Sequence, residues 1–136
     1  MTISLDSSAV IDLINNRSEH TRQRFATAMA SDEPIVISSI VIHEVMFGAL
    51  ISRRPEEQKG VLESLIHPFS IVPLTIQDAE AAARVRKALR QAGKIIGHMD
   101  ILVAGQALGR GWTVVTSNAR DFRRVEGLKV IDWSAA

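Results

Sequence analysis

The sequence predicts an α/β domain with a central parallel five-stranded sheet flanked by helices on both faces. Three observations lead to this fold class. Apolar runs of strand length recur along the chain, helical patterns fill the intervals between them, and most of the runs are apolar nearly throughout. Strands that alternate with helices pair in parallel, and strands without an alternating pattern are covered on both faces.

Five runs are assigned as strands because each is short, most are rich in β-branched residues, and polar or turn-forming positions lie beside them. We expect all five to be buried. In chain order they are residues 3–5 (ISL), 35–39 (IVISS), 69–74 (FSIVPL), 112–117 (WTVVTS) and 128–132 (LKVID).

Six helices are predicted between these strands, and their ends carry recognisable signals. Serines open the first and third helices, and Pro55 suits the first turn of the fourth. Thr75 followed by Asp78 predicts a capping box, and Gly93 ends the same helix. The segments are residues 7–16, 18–31, 38–53, a helix from residue 55, 75–93 and about 98–109.

Length and composition limit the number of domains, the class of protein and the kinds of site that the chain can form. A chain of 136 residues predicts a single domain spanning residues 1–136. A hydrophobic content of 46 % and a mean hydropathy of +0.11 are typical of a globular protein. The chain has no cysteine, which excludes disulfides and thiolate metal sites. No apolar run approaches the roughly 18 residues of a membrane span, and no secretory signal is visible, so we expect a cytoplasmic protein without membrane attachment.

The net charge of +1 neither favours nor excludes nucleic acid as a partner. Arginines nevertheless occur in clusters, and their side chains suit bidentate contacts to phosphate. Cations such as Arg84, Arg86 and Arg90 would suit a phosphate backbone, and solvated helix faces explain any one cluster equally well.

Acidic and polar side chains follow two of the predicted strands. Asp6 ends the first strand, and Thr116, Asn118 and Asp121 lie at or after the end of the fourth. Because ligands of open α/β sheets bind beyond the carboxyl ends of the strands, these residues are expected to share one edge of the sheet.

Two further acids have no cation within helical reach. The neighbours of Glu44 three and four residues away are apolar or glycine, and the same holds for Asp100. A buried carboxylate without a partner costs several kcal/mol or else becomes protonated. Two such cases in one small domain predict a shared external cation.

Mg²⁺ or Mn²⁺ fits this donor set best, since carboxylates without clustered histidines or cysteines favour hard cations. Two such ions can activate a water and stabilise the leaving oxygen of a phosphodiester.

Each acid also has a structural alternative. Asp6 is placed to cap the first helix, and Glu44 can pair with His43 or with a distant arginine. Asp100 lies in a first helical turn, where the helix dipole favours an acid. Asp121 forms a capping-box pattern with Asn118 and adjoins several arginines.

With these residues in place, the sequence resembles PIN-domain ribonucleases, and specifically VapC-type toxins of bacterial toxin–antitoxin pairs. The resemblance covers nearly the whole chain and includes the order and spacing of the four acids. It is carried by the segments LDSSAVIDLI, ISSIVIHEVMFGA, IIGHMDILVAGQALGRGWTVVTSNARDF and VEGLKVIDW.

The resemblance implies a set of site residues. Asp6, Glu44, Asp100 and Asp121 fall on the family's Mg²⁺- or Mn²⁺-binding acids, and Thr116 and Asn118 fall on the polar positions beside them. Many members read Asp-Thr-Asn after the first strand, where this chain reads Asp6-Ser7-Ser8; a hydroxyl at Ser7 can still bond the site or cap the helix. The fourth acid is the family's least uniform position.

The resemblance also implies an activity and partners. VapC-type toxins cut single-stranded regions of RNA, often tRNA or rRNA. They form homodimers, are neutralised by a VapB-type antitoxin, and bind promoter DNA only through that antitoxin.

Two other functions fit the same residues: a solitary PIN-domain RNA-processing nuclease, and a catalytically inactive toxin-like binding module. A haloacid-dehalogenase-type phosphatase does not fit, because it needs a second aspartate where Ser8 stands.

Overall fold

The computed structural model describes residues 1–136 and contains five strands and seven helices. The first half of the chain forms β1 (Ile3–Leu5), α1 (Ser7–Asn15), α2 (Glu19–Ala30), β2 (Ile35–Ser38), α3 (Ser39–Leu50) and α4 (Pro55–Ile66). The second half forms β3 (Ser70–Val72), α5 (Ile76–Gln91), α6 (His98–Arg110), β4 (Thr113–Val115), α7 (Ala119–Phe122) and β5 (Lys129–Ile131).

The strands form one parallel sheet in the order β3-β2-β1-β4-β5, which confirms the predicted fold class. The chain runs outward from β1 through β2 to β3 and then returns to place β4 on the other side of β1. The strand order therefore reverses between β1 and β4, and ligands of open α/β sheets bind at such a switch point.

The central strands form the core, as predicted. Every residue of β1, β2 and β4 is buried, and Leu5, Ile37 and Val114 are fully enclosed. The prediction of burial is wrong for the two outer strands. Ser70 and Ile71 of β3 and Lys129 of β5 are exposed, because an edge strand has a neighbour on one side only. The strand β1 has the predicted bounds, the other four strands are shorter than predicted, and the four-residue helix α7 was not expected.

The predicted capping box at the start of α5 is present. The Thr75 hydroxyl accepts from the Asp78 N–H at 3.3 Å, and the Asp78 carboxylate accepts from the Thr75 N–H at 2.9 Å. The same carboxylate accepts two hydrogen bonds from Arg110 and one from Gln106. The Arg110 guanidinium holds the pKa of Asp78 well below its usual range. This network ties the start of α5 to the end of α6.

Helices α5 and α6 approach closely at Gly105. A β-carbon at this position would lie 2.3 Å from the α-carbon of Ala82, a distance that requires the helices to shift. We expect Gly105→Ala to lower the free energy of unfolding by about 1–3 kcal/mol. Urea denaturation measures the change.

Gly60→Ala is the matched control for this variant, because a β-carbon there meets nothing within 4 Å on helix α4. It should stabilise the protein by about 0.5–1 kcal/mol. A Gly105→Ala protein as stable as the parent would show that α5 and α6 can separate freely.

None of the helices combines the length and the apolar character needed to cross a membrane.

Candidate active site

Asp6 lies at the switch point of the sheet. It follows the last residue of β1, has extended backbone angles and is the N-cap of α1. Its N–H donates to the carbonyl of Val115 on β4 at 3.1 Å. The two central strands therefore fix its backbone, and its side chain is presented at their carboxyl ends.

The Asp6 carboxylate is held by three hydrogen bonds. One oxygen, Oδ1, accepts from the Ala9 N–H at 3.0 Å and from the Ser8 hydroxyl at 2.7 Å. The other, Oδ2, accepts from the Thr116 hydroxyl at 2.6 Å. The helix-capping alternative for Asp6 is thus correct for Oδ1. It does not account for Oδ2, which faces β4.

Burial dominates the ionisation of Asp6. The residue is only 3 % exposed, and loss of hydration raises the pKa of its carboxyl from 3.8 to about 6. The bonds from Thr116, Ala9 and Ser8 act in the opposite direction, and the charge of Asp100 adds to the increase. A buried carboxylate that is costly to ionise gains stabilisation when a cation binds beside it, so Asp6 suits a cation-binding site.

Glu44 projects from α3 with an unsatisfied acceptor. Its Oε1 atom is buried and has no hydrogen-bond partner, and Glu44 forms no ion pair with His43 or with any arginine. Burial raises its pKa, and the charges of Asp100 and Asp6 raise it further, against a smaller lowering by His43 and the Ser7 hydroxyl. The pairing alternative is therefore wrong for Glu44.

Asn118 bridges the remaining two acids. Its Nδ2 amide donates to Asp121 Oδ2 at 3.1 Å and lies 3.5 Å from Asp100 Oδ2. Asp100 is the third residue of α6, where the helix dipole favours an anion. Its pKa is nevertheless raised, by burial and then by the charge of Asp121. Burial and the charge of Asp121 therefore disfavour ionisation of Asp100, at a position where the helix dipole favours it.

Asp121 has a second partner in Arg124, whose Nη1 lies 3.8 Å from Asp121 Oδ1. The same Nη1 atom donates to the carbonyl of Ile95 at 2.5 Å. Asn118 is the N-cap residue of α7 but makes no side-chain hydrogen bond to its backbone, so the predicted capping box is absent.

The four acids occupy one edge of the sheet. Asp100 raises the pKa of Asp6 and of Glu44, Asp6 raises that of Glu44, and Asp121 raises that of Asp100. They do not form a ready-made ligand shell, because no three acidic or histidine side chains stand close enough to hold one ion together. The unsatisfied Glu44 oxygen and the all-oxygen donor set are consistent with a hard divalent cation.

Two residues of this site were not singled out from the sequence. The Ser8 hydroxyl donates to Asp6, accepts from the Ser117 N–H at 3.0 Å and contacts the Thr116 hydroxyl at 3.1 Å. The position expected to bond the site or cap the helix was Ser7, whose hydroxyl acts on Glu44 and not on Asp6. Arg124 is the other; the sequence placed it beside Asp121 as one of the arginines of the structural alternative, and its spacing of three residues singles it out.

Thr116→Val tests whether the Thr116 hydroxyl, one residue after β4, orients the Asp6 carboxylate. The change keeps the shape of the side chain but removes the donor to Asp6 Oδ2 and the acceptor of the Asn118 N–H. Loss of such support for a metal-binding carboxylate costs about 10–100-fold in affinity. We expect a loss of this size in Mn²⁺ affinity, measured by isothermal titration calorimetry.

Thr113→Val is the matched control, because Thr113 is buried in β4, three residues before Thr116, and its hydroxyl has no partner. Equal Mn²⁺ affinity of the two variants would mean that the Thr116 hydroxyl does not orient Asp6.

The chain is similar to known proteins over nearly its whole length. The PIN domain family model matches residues 3–128. The tRNA(fMet)-specific endonuclease VapC of Salmonella typhimurium is 35 % identical over 129 residues, which are 95 % of this chain and 96 % of that protein.

Two solved structures are similar over nearly the full length. The DNA-bound VapBC structure from Salmonella typhimurium contains a chain with a TM-score of 0.89 and 34 % identity, covering 98 % of each chain. The Rickettsia felis VapBC2 structure, bound to a DNA fragment from its promoter, contains one with a TM-score of 0.91 and 27 % identity, covering 98 % of this chain and 99 % of that chain.

Proposed function

The chain belongs to the PIN domain family, and on that premise we propose that it is a VapC-type endoribonuclease toxin that uses Mg²⁺ or Mn²⁺. The observation that carries the proposal is the set of four acids at the β1–β4 switch point, in which Glu44 keeps a buried oxygen without a partner. Its relative from Salmonella typhimurium is named as a tRNA endonuclease, so tRNA is the first substrate class to test, followed by rRNA.

Asp6, Glu44, Asp100 and Asp121 are the proposed metal ligands. A divalent ion bound there would activate a water and offset charge on the phosphate oxygens. Below about pH 6, cation binding must displace a proton from Asp6, because burial has raised the pKa of this carboxyl.

The neighbouring polar groups act by orientation. The Thr116 and Ser8 hydroxyls fix the two oxygens of Asp6, and the Asn118 amide holds Asp121 beside Asp100. Side chains held in this way need little reorientation when charge develops in the transition state. Such preorganisation lowers the activation free energy of the reaction.

Partners follow from the same premise. Both similar structures are complexes named VapBC, and both contain DNA. We propose that a VapB-type antitoxin neutralises this chain, that the chain forms a homodimer, and that promoter DNA is bound only through the antitoxin. A cytoplasmic location is proposed with this function.

The test is incubation of the purified protein with a mixed cellular RNA pool in Mg²⁺, in Mn²⁺ and in EDTA. We expect discrete cuts that require the metal, and mapping their ends identifies the RNA and the position cut. Metal binding without cleavage of any RNA in the pool would favour the inactive binding module.

A second arm separates a toxin from a solitary RNA-processing nuclease. The protein is expressed alone and together with the product of any small reading frame that adjoins its gene. Growth arrest that the neighbouring product relieves is expected of a toxin. Growth that continues in both cases, with RNA cleavage retained in vitro, would indicate the solitary nuclease.

A further inference from the structure

A groove runs along helix α5 on the side that faces the segment 124–126. The chain from Ala81 to Ala92 forms one wall and, through its alanines, the floor beside it, and Leu108 and Gly109 at the end of α6 line the groove next to them. The α5 wall is about 16 Å long, since a helix rises 1.5 Å per residue. The cavity has a volume of about 280 Å³, slightly below the 300–1,000 Å³ of pockets for drug-sized ligands. It therefore suits one compact chemical unit better than a folded partner.

The groove combines a floor of small apolar side chains with cations at its rim. Ala81, Ala88 and Ala92 leave the floor open. Arg84 and Lys94 stand on the α5 side, Arg124 stands on the opposite wall, and Glu126 is the only acid in the lining.

The rim cations are available to an anion. Arg84 is 78 % exposed, and its only ion pair, to Glu80, is loose at 3.9 Å. Lys94 forms no ion pair and is exposed. Arg124, on the opposite wall, is already engaged by Asp121 and by the Ile95 carbonyl. An apolar floor beside two available cations, Arg84 and Lys94, complements a ligand that has a flat, weakly polar part and an attached anion.

The groove is continuous with the candidate active site through Arg124. This residue lines the groove, and its guanidinium lies 3.8 Å from the Asp121 carboxylate. A polyanion whose reacting phosphate lies at the four acids would therefore pass Arg124 on entering the groove. The other α5 arginines are placed differently: Arg86 and Arg90 do not line the groove but line neighbouring cavities that also contain His98 and Ile101, and Lys94 borders one of these as well.

We propose that the α5 groove binds a nucleotide that flanks the scissile phosphate of a single-stranded RNA. Its base and ribose lie on the alanine floor, and its phosphate lies between Arg84, Lys94 and Arg124. The proposal rests on the proposed ribonuclease function. It favours RNA over a peptide because three of the four charged lining residues are cations, and because one of them, Arg124, also contacts Asp121 of the candidate active site.

The test measures RNA binding in an Asp6→Asn background, which prevents cleavage. The probe is a short fluorescein-labelled polyuridylate, and fluorescence anisotropy is recorded at several salt concentrations. Arg84→Gln combined with Lys94→Gln should weaken binding about 10-fold. It should also flatten the dependence of log K on log salt by up to about 1.4, at about 0.7 for each lost phosphate contact on a single strand.

Ala88→Phe tests the floor separately. The added ring fills the groove without changing the charge, so binding should weaken by a similar factor while the salt dependence stays unchanged. Arg53→Gln and Ala26→Phe are the matched controls, because both residues are exposed and lie outside the groove. Neither control should change binding.

The outcomes separate the two proposals. If the parent protein makes metal-dependent cuts and the groove variants bind and cut like the parent, the groove proposal is wrong and the ribonuclease stands. If the parent neither binds nor cuts RNA, the proposed function fails and the groove proposal fails with it. If Ala88→Phe keeps RNA binding but escapes neutralisation by the antitoxin, the groove belongs to a protein partner, which also overturns the proposal.

Discussion

Asp6→Asn is expected to lower metal-dependent RNA cleavage by about 10³-fold, the largest effect of any single substitution considered. The change removes the charge at the centre of the switch point but leaves an acceptor for the Ala9 N–H and the Ser8 hydroxyl. Cleavage rates of an end-labelled substrate, taken from the mapped RNA, provide the measurement.

The same variant should fold at least as stably as the parent at neutral pH, because it no longer buries a charged group. Asp32→Asn is the control for the loss of one acid, since Asp32 is exposed and outside the site. An Asp6→Asn protein that cuts RNA at the parent rate, with Asp32→Asn indistinguishable from both, would remove Asp6 from the proposed machinery.

The second large effect is a loss of stability of the metal-free protein as pH rises. Asp6 has a pKa of about 6 in the folded protein and an ordinary value of 3.8, so between these values the folded state binds more protons than the unfolded state. Its favourable contribution is complete below about pH 4 and is lost above about pH 6. A shift of this size corresponds to roughly 3 kcal/mol, or a fall in Tm of roughly 10 °C for a domain of this size.

Thermal denaturation in EDTA between about pH 4 and pH 8 measures this fall. The raised pKa values of Glu44 and Asp100 act in the same direction. Asp78 acts oppositely, because its lowered pKa contributes stability that is lost as pH falls below about 4, outside the measured window.

Mn²⁺ should restore the stability at the upper end of the range, by about 2.7 kcal/mol when its concentration is 100 times the dissociation constant. In Asp6→Asn, most of the decline of Tm with rising pH in EDTA should be absent. A parent profile without a decline, or the same decline in Asp6→Asn, would show that Asp6 does not carry the effect.

Local patterns in the sequence were sufficient for the fold. Continuous apolar runs and their alternation with helices predicted the parallel sheet, and the Thr75–Asp78 capping box was correct to the residue. The sequence overestimated the burial of the outer strands β3 and β5. An apolar run shows that a strand can be buried, but it does not show whether the strand lies at the centre or at the edge of the sheet.

The acids were also identified from the chain itself, because Glu44 and Asp100 lack a cation at any helical neighbour. Which acid has an unsatisfied oxygen, and how strongly burial acts on Asp6, depends on contacts between distant segments. The bond from Thr116 to Asp6 joins residues 110 positions apart.

The sequence by itself determined the fold class, the Thr75–Asp78 cap and the lack of a local cation beside Glu44 and Asp100, because these depend on residue type and on spacing within a few turns or along one strand. Tertiary structure alone decided that β1 and β4 are neighbours, that Ser8 rather than Ser7 bonds Asp6, and that Arg124 joins the acids to the α5 groove. Hydrogen bonds and Coulombic interactions act over a few ångströms in space, and only the folded chain brings these groups within that distance.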